Sequence, residues 1–400
     1  MQLNRTDSTQ NELVQLRNFP YPFKAGFAIC SDIDECDLQT FIEIHRFLNS
    51  KKNGLGLPVA DSFFGVASHD KYLAYFNPDG SSRPKEAAFI RQAIRDGLID
   101  SLHTWGDFNN APPDPRFLQR IAEKLTDELT TAGLQIPIWI NHGSANNRQN
   151  LYARLWPQYQ GDDPDSPYYT MEYINALGIK YHWLSEILEW PLSINNPKTY
   201  SRTIQRITLN KMKNAVKNFI RHSGHTKSSQ QITLLANKIM FRDRSPAIAF
   251  TRFARHPEKA LLWGAGKNSL RHSLTEAIFN ELIHDEGYII IYTHLAKAVI
   301  SNRGKRLFPK EEENSFELLG DYYHKGLIWV ATTSQLLQFK MVHDHLNWHS
   351  DKKKNEIIIE ITGINDPVSG IRIPEKKELA GICFYSPQPK ITRINVGGKE

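Results

Sequence analysis

Short apolar runs alternate with amphipathic, helix-like segments along most of this chain. Apolar runs bounded by polar residues are typical of strands in a parallel sheet, whose two faces are both covered. The predicted strands lie near residues 27–29, 62–67, 99–103, 136–141, 179–184, 247–253, 288–295 and 326–332. The predicted helices lie near residues 38–49, 85–96, 115–132, 168–177, 270–285 and 315–325. This number of alternating elements favours a closed (β/α) barrel, and an open doubly wound sheet is the alternative.

Two segments interrupt this alternation. Residues 195–245 are basic and contain Asn and Ser, and we interpret them as a helical insertion between two barrel strands. Residues 350–400 contain runs of period two between turn residues, which predict a small antiparallel β appendage at the C-terminus. The predicted organisation is therefore an N-terminal extension over 1–20, an α/β barrel over 21–345 that carries the insertion, and the β appendage.

Charge and composition narrow the functional classes. The 400 residues carry a formal net charge of +6, which favours anionic partners, but no compact basic helix or nucleic-acid motif is present. We therefore expect no binding of nucleic acid. No signal peptide and no apolar run of membrane-spanning length is found, so we expect a soluble, cytoplasmic protein with no membrane span. Cys30 and Cys36 are interpreted as packing thiols, and the oligomeric state is not defined by the sequence.

Polar side chains suited to chemistry lie where the predicted strands end. They are Asp32 and Asp34 after the first strand, His103 and Asp107 after the third, Asn141 and His142 after the fourth, and His294 at the end of a late strand. In barrel enzymes the carboxyl ends of the strands carry the active site. Two neighbouring carboxylates repel each other unless a cation lies between them or one keeps a proton. We therefore expect these side chains to meet at one rim and to do chemistry there.

The spacing of His103 and Asp107 predicts metal binding. If the segment after the third strand is helical, residues four apart lie on one face and can ligate one ion. The pair would lie opposite the carboxylates of the CSDID run. Nitrogen and carboxylate ligands suit one divalent metal ion, zinc best, with manganese, nickel, cobalt or iron as alternatives.

Three of these motifs together resemble a known family. The chain resembles the NodB-type polysaccharide deacetylases in three motifs, which are the SDID run, the HTxxD run at 103–107 and the late strand YIIIYTHL with His294. In that family the motif H[S/T]xxH is usual where this chain has HTxxD. The resemblance runs from about residue 22 to residue 340 and omits the insertion. It implies a distorted (β/α) barrel of the polysaccharide deacetylase type and the activity of a metal-dependent carbohydrate esterase.

The resemblance also implies roles for single residues. Asp32 matches the general base and Asp34 matches a metal ligand of the family. His103 matches a metal-binding histidine, Asp107 stands where the second such histidine is usual, and His294 matches the general acid.

The chain departs from the family pattern at two places. Ile33 separates Asp32 from Asp34, which are adjacent in the family, so the roles of these two acids can be exchanged. Asn141 and His142 stand in place of the family's Arg-Pro motif after the fourth strand. We interpret both as substrate-binding candidates, and His142 can alternatively be a fourth ligand or a stabiliser of an oxyanion.

Two further residues near the rim are candidates for substrate binding. Trp105 can stack on the apolar face of a sugar, whereas Trp139 is expected to pack in the core. Arg252 either meets an anionic group of the substrate or forms a salt bridge inside the barrel.

The function predicted from these features is the metal-dependent hydrolytic removal of an acyl group, most simply N-acetyl, from a sugar. The substrate is expected to be an anionic saccharide of a surface polysaccharide, such as lipopolysaccharide, or its precursor. Two alternatives stay open. One is the formation or transfer of an amide on a uronic-acid sugar in O-antigen biosynthesis, and the other is a barrel that binds saccharide without catalysis.

Overall fold

The computed structural model describes residues 14–153, 156–188, 236–254, 270–301, 306–353 and 355–397. Within these ranges the chain forms two compact units. One runs from Ala25 to Leu336, and the other combines the described residues up to Lys24 with those from Leu337 onward. Residues 195–235 of the predicted insertion (195–245) lie outside the described residues. Its last ten residues, 236–245, belong to a β-hairpin.

The secondary structure follows the predicted alternation. The strands are β1 Gln15–Leu16, β2 Ala25–Ser31, β3 Ala60–Val66, β4 Ala74–Phe76, β5 Ile99–Leu102, β6 Ile138–Ile140, β7 Tyr181–Leu188, β8 Ala236–Met240, β9 Pro246–Phe253, β10 Tyr288–Thr293, β11 Ile328–Val330, β12 Leu346–Lys353, β13 Glu356–Asp366, β14 Gly370–Arg372, β15 Phe384–Tyr385 and β16 Thr392–Val396. The helices are α1 Leu38–Asn49, α2 Pro84–Arg95, α3 Pro115–Thr131, α4 Met171–Ala176, α5 Glu276–His284, α6 Leu295–Ser301, α7 Lys310–His324 and α8 Thr333–Asp344.

Seven parallel strands close into a barrel in the larger unit. Their order around the barrel is β2, β10, β9, β7, β6, β5 and β3, and β3 pairs again with β2. Cys30 opposite Ala60 and Ser31 opposite Asp61 form this closing contact, while β11 pairs with the first three residues of β2. The prediction of a closed α/β barrel is therefore confirmed, and the open doubly wound sheet is wrong.

The barrel strands are buried on both faces, as their composition predicts. Every residue of β2 and of β3 is buried, because one face of each strand points into the barrel and helices cover the other. The helices bury one apolar stripe each; in α3 it includes Leu118, Ile121 and Leu125. Asp37 caps α1 by accepting a hydrogen bond from the backbone N of Thr40 at 2.7 Å.

The smaller unit contains the C-terminal β structure. β12, β13 and β14 are antiparallel, as predicted, but β16 pairs in parallel with β13. β1 pairs with β15, so part of the predicted N-terminal extension belongs to this unit. Val14, Ile357 and Ile359 form its buried core.

No helix in the part of the chain that the structure describes is long and apolar enough to cross a membrane.

Burial of His45 makes the stability of the larger unit depend on pH. The side chain lies on α1 against the ring of Phe41, and burial lowers its pKa to about 4. Because the unfolded state binds this proton at higher pH than the folded state, stability is lost as the pH falls from about 6.5 towards 4. We expect His45→Phe to reduce the loss of unfolding free energy between about pH 7 and pH 5 by about 2 kcal/mol, measured by urea unfolding. An equal loss in the variant and the parent would contradict this assignment.

Candidate active site

The strand ends bring five of the predicted site residues together at the carboxyl end of the barrel. Asp32 and Asp34 follow β2, His103 follows β5, His142 follows β6 by two residues, and His294 follows β10. All five are largely buried, and each lies within 4.0 Å of at least one other member of the group. We call these five residues the rim cluster.

Two overlapping groups in the rim cluster can hold a metal ion, namely Asp32 with Asp34 and His294, and Asp34 with His103 and His142. Asp32 of the former group is already paired with Arg252, whereas the latter group supplies the two imidazoles that suit zinc. An oxygen of Asp34 lies 3.6 Å from His142 Nδ1 and the other lies 4.0 Å from His103 Nε2, while the two histidine nitrogens are 2.8 Å apart. Ligand atoms ~2.1 Å from a tetrahedral ion lie ~3.4 Å from one another, so these separations bracket the required value. This group can therefore hold a metal ion, with one carboxylate and two imidazole ligands.

The protonation of His103 suits a ligand. The side chain is 1% exposed, and burial lowers its pKa to about 4, although the charges of Asp32 and Asp34 act in the opposite direction. The imidazole is therefore neutral near pH 7 and keeps a lone pair for an ion.

Asp107 does not belong to this ligand group, and the prediction that His103 and Asp107 share one helical face is wrong. Thr104 adopts a positive φ of 65°, Gly106 forms a parallel bridge with Val66, and the backbone N of Asp107 donates to the carbonyl of Val66. The segment is thus extended along β3. Asp107 points to His142 instead, with its Oδ1 3.0 Å from His142 Nε2.

Asp107 orients His142 from the side away from Asp34. His142 Nε2 lies 3.0 Å from Asp107 Oδ1 and 2.8 Å from the amide nitrogen of Asn109. In the tautomer in which Nε2–H donates to Asp107, the lone pair at Nδ1 faces Asp34 and His103. Burial lowers the pKa of His142, but Asp34 and Asp107 raise it more, and the net pKa lies above the ordinary value. The backbone N of His142 donates to Asn150 Oδ1 at 3.1 Å, which fixes the backbone that carries the ring.

Asp32 is held by Arg252 in a buried, two-point ion pair. The guanidinium donates to the two carboxylate oxygens at 2.5 and 3.1 Å. Arg252 is fully buried, with its guanidinium carbon 3.5 Å from the ring centre of Trp183 and 4.3 Å from that of Tyr292. Burial raises the pKa of Asp32, but the charge and the hydrogen bonds of Arg252 lower it by more, so the carboxylate stays ionised. Of the two roles expected for Arg252, the structure contains the salt bridge inside the barrel.

His294 completes the cluster on its more exposed side. Its Nε2 lies 2.7 Å from Asp34 Oδ2, 4.0 Å from Asp32 Oδ2 and 3.3 Å from the hydroxyl of Tyr292. Burial raises the pKa of Asp34, but His142 and the hydrogen bond to His294 hold it well below the ordinary value. The imidazole thus lies between the two acids, where it can exchange a proton with a bound molecule.

Two predicted substrate contacts lie away from solvent. Trp105 is fully buried, and its Nε1 donates to Thr170 Oγ1 at 2.9 Å, so neither face of the ring is open to a sugar. Asn141 is also fully buried, and its amide bonds the backbone N and O of Leu151. Trp139 packs in the core, as predicted. Trp105 and Asn141 therefore shape the loops behind His142 rather than present a binding surface.

Sequence reasoning missed several residues of the site. Lys297 lies on α6, and its Nζ is 3.7 Å from Asp34 Oδ2. Tyr292 contacts both His294 and Arg252. Both residues lie within three positions of His294 in the sequence, and this proximity is the one feature of the sequence that could have indicated them as site residues. Glu35 and Thr104, which directly follow Asp34 and His103, adopt positive φ angles and mark strained backbone at the rim.

No protein-family model matches this chain, and no curated protein matches it either. The site therefore has to be interpreted from its own geometry.

A metal ligand at position 107 and a residue that only orients His142 would affect metal affinity differently, so the two roles of Asp107 can be distinguished. We expect His142→Ala to abolish tight binding of Zn²⁺, because it removes a ligand, and Asp107→Asn to weaken it by about 10- to 100-fold, because it removes an orienting partner. Competition with a fluorescent chelator measures both. His349→Ala is the control, since that histidine is half exposed and lies outside the rim cluster. Equal, complete loss in both variants would make Asp107 a ligand.

The ion pair of Asp32 predicts a large energetic effect of a single substitution. Arg252→Met leaves a buried carboxylate without its partner and should reduce the free energy of unfolding by about 3–5 kcal/mol. The double variant Arg252→Met with Asp32→Asn should lose less free energy of unfolding, because no charge is then left unpaired. Arg271→Met, which removes an exposed pair with Glu311, should cost less than about 1 kcal/mol. Urea unfolding of the parent, Arg252→Met, Asp32→Asn and the double variant measures the coupling, and strictly additive losses would refute it.

Proposed function

We propose that this protein is a metal-dependent hydrolase that removes an acyl group, most simply N-acetyl, from a saccharide. The observation that carries the proposal is the convergence of Asp34, His103 and His142 in ligand geometry beside a second, ionised carboxylate and a further imidazole. Hydrolysis of an amide or ester needs these three components, which are an electrophilic centre, a base for water and an acid for the leaving group. The resemblance to NodB-type deacetylases in the SDID and YIIIYTHL runs supports the same reaction.

Asp34, His103 and His142 would hold the divalent ion, with zinc as the favoured metal. When bound, the ion supplies Lewis acidity towards the acyl carbonyl and towards water. His103 is neutral and thus prepared as a ligand, whereas binding of the ion to His142 would displace the proton that the raised pKa of this histidine favours. Asp34 also contacts His294, which links the ligand group to the proton-transfer groups.

Asp32 is the proposed general base. Both of its oxygens accept from Arg252, which fixes the plane of the carboxylate, and each oxygen keeps a lone pair that can accept a proton from water. The pKa below the ordinary value keeps Asp32 ionised but makes it a weaker base. Asp32 is favoured as the base over Asp34 because Asp34 belongs to both groups of possible ligands, whereas Asp32 belongs to one of them.

His294 is the proposed general acid. Its Nε2 lies between the two acids and reaches the more exposed side of the cluster, where a leaving amine or alkoxide would depart. Tyr292 and Asp34 hold the ring in this position. The imidazole can donate its proton to the leaving group and regain one from solvent.

Release of acetate tests this function. With N-acetylglucosamine oligomers and N-acetylated uronic acids as substrates, we expect Zn²⁺-loaded protein to release acetate and a chelator to abolish the release. Asp32→Asn and His294→Gln should each lower kcat/KM by about 100- to 10,000-fold without loss of the metal. Asp321→Asn is the matched control, because this acid of α7 is exposed and pairs with Lys325, which lies just after the helix.

Two outcomes would count against hydrolysis. Stoichiometric metal without acetate release would favour amide formation or transfer, and the absence of both metal binding and catalysis would favour a saccharide-binding barrel.

A further inference from the structure

We propose that Lys297 is the residue that recognises an anionic group of the substrate, so that the preferred saccharide carries a carboxylate near its acyl group. This inference rests on the proposed function and adds the substrate class and the residue that selects it. It starts from the charges on the more exposed side of the rim cluster.

Arg252 cannot serve an anionic substrate. Its side chain has no exposed surface, its two terminal nitrogens bond Asp32, and two aromatic rings cover the guanidinium. Lys297 is different, because 22% of its side chain is exposed while its Nζ still lies 3.7 Å from Asp34 Oδ2. Among the cationic side chains that the structure places in contact with the rim cluster, Lys297 is thus the one that a bound molecule can reach.

The contacts of Lys297 are loose and exchangeable. Its ammonium lies 3.7 Å from Asp34 and 3.8 Å from Glu35, and both distances exceed a normal hydrogen bond. The side chain of Glu35 is about half exposed, so its carboxylate can turn to water at small cost. A substrate carboxylate can therefore replace Glu35 at the ammonium without leaving a buried charge unpaired.

The position of Lys297 also restricts where the anionic group lies. His294, the proposed acid, directly precedes α6, and Lys297 follows three residues later in the first turn. Both side chains contact the same oxygen of Asp34, at 2.7 and 3.7 Å. A carboxylate bound by Lys297 would thus lie on the same sugar ring as the acyl group that is cleaved, as in a small N-acetylated uronic acid.

A matched pair of sugars tests the proposal. N-acetylglucosaminuronate and N-acetylglucosamine differ only in the carboxylate, and titration calorimetry gives the dissociation constant of each for the metal-loaded and the chelator-treated protein. We expect the parent to bind the uronate more tightly by about 10- to 100-fold, Lys297→Met to lose this preference and Lys297→Arg to retain most of it. Lys297→Gln serves as a second neutral variant, and circular dichroism with metal content checks that each variant is folded.

Lys325→Met is the control for a general effect of charge. Lys325 is 64% exposed and precedes β11, so it lies at the opposite end of the barrel strands. The proposal is overturned if the parent binds both sugars equally, if the neutral Lys297 variants keep the preference, or if Lys325→Met loses it as well. A preference that disappears in the parent after chelation would assign the carboxylate to the metal and would also overturn it. Failure of acyl hydrolysis is seen separately, as an absence of acetate release from both sugars.

Discussion

The buried ion pair between Arg252 and Asp32 is the interaction on which the arrangement of the site depends. It joins β9 to the end of β2, which are not neighbours in the barrel, because β10 lies between them. Neither charge can be removed alone without leaving the other in the interior. The rings of Trp183 and Tyr292 fix the guanidinium, and Tyr292 also contacts His294. One ion pair therefore sets the position of the proposed base and, through Tyr292, that of the proposed acid.

The barrel could be predicted because its determinants are local. Apolar runs buried on both faces identify strands such as β2, and the helical period identifies α1, which the prediction placed at the observed residues. The closing contact between β2 and β3 involves only two residue pairs and has no local signal, so only the number of strands indicated it. The pairing of β1 with β15 was missed for the same reason. Two-residue strands far apart in the sequence leave no period to detect.

The candidate site could be predicted in part. The sequence pattern identified Asp32, Asp34 and His294 because they follow apolar runs. The carboxyl ends of parallel barrel strands meet at one rim for any conformation of the loops. The direction of a side chain after the strand depends on backbone angles that spacing does not reveal. At Thr104 a left-handed residue turns the chain along β3, and this places the carboxylate of Asp107 on the far side of His142. Residue spacing therefore located the site but could not distinguish a ligand from the group that orients it.

The charges of the site are consistent with a divalent ion and with the proposed selection of substrates by charge. Inside the barrel the charge of Asp32 is cancelled by Arg252, so the carboxylates of Asp34 and Asp107 remain as the unbalanced charges near the histidines. A divalent ion would balance these two. The remaining charges are those of Lys297 and Glu35, which lie at the more exposed side and balance each other. Because Asp34 and Asp107 would compensate the ion, the proposed selectivity for a charged sugar would depend on the pair of Lys297 and Glu35. Glu35 can leave this pair without the cost of burying a charge.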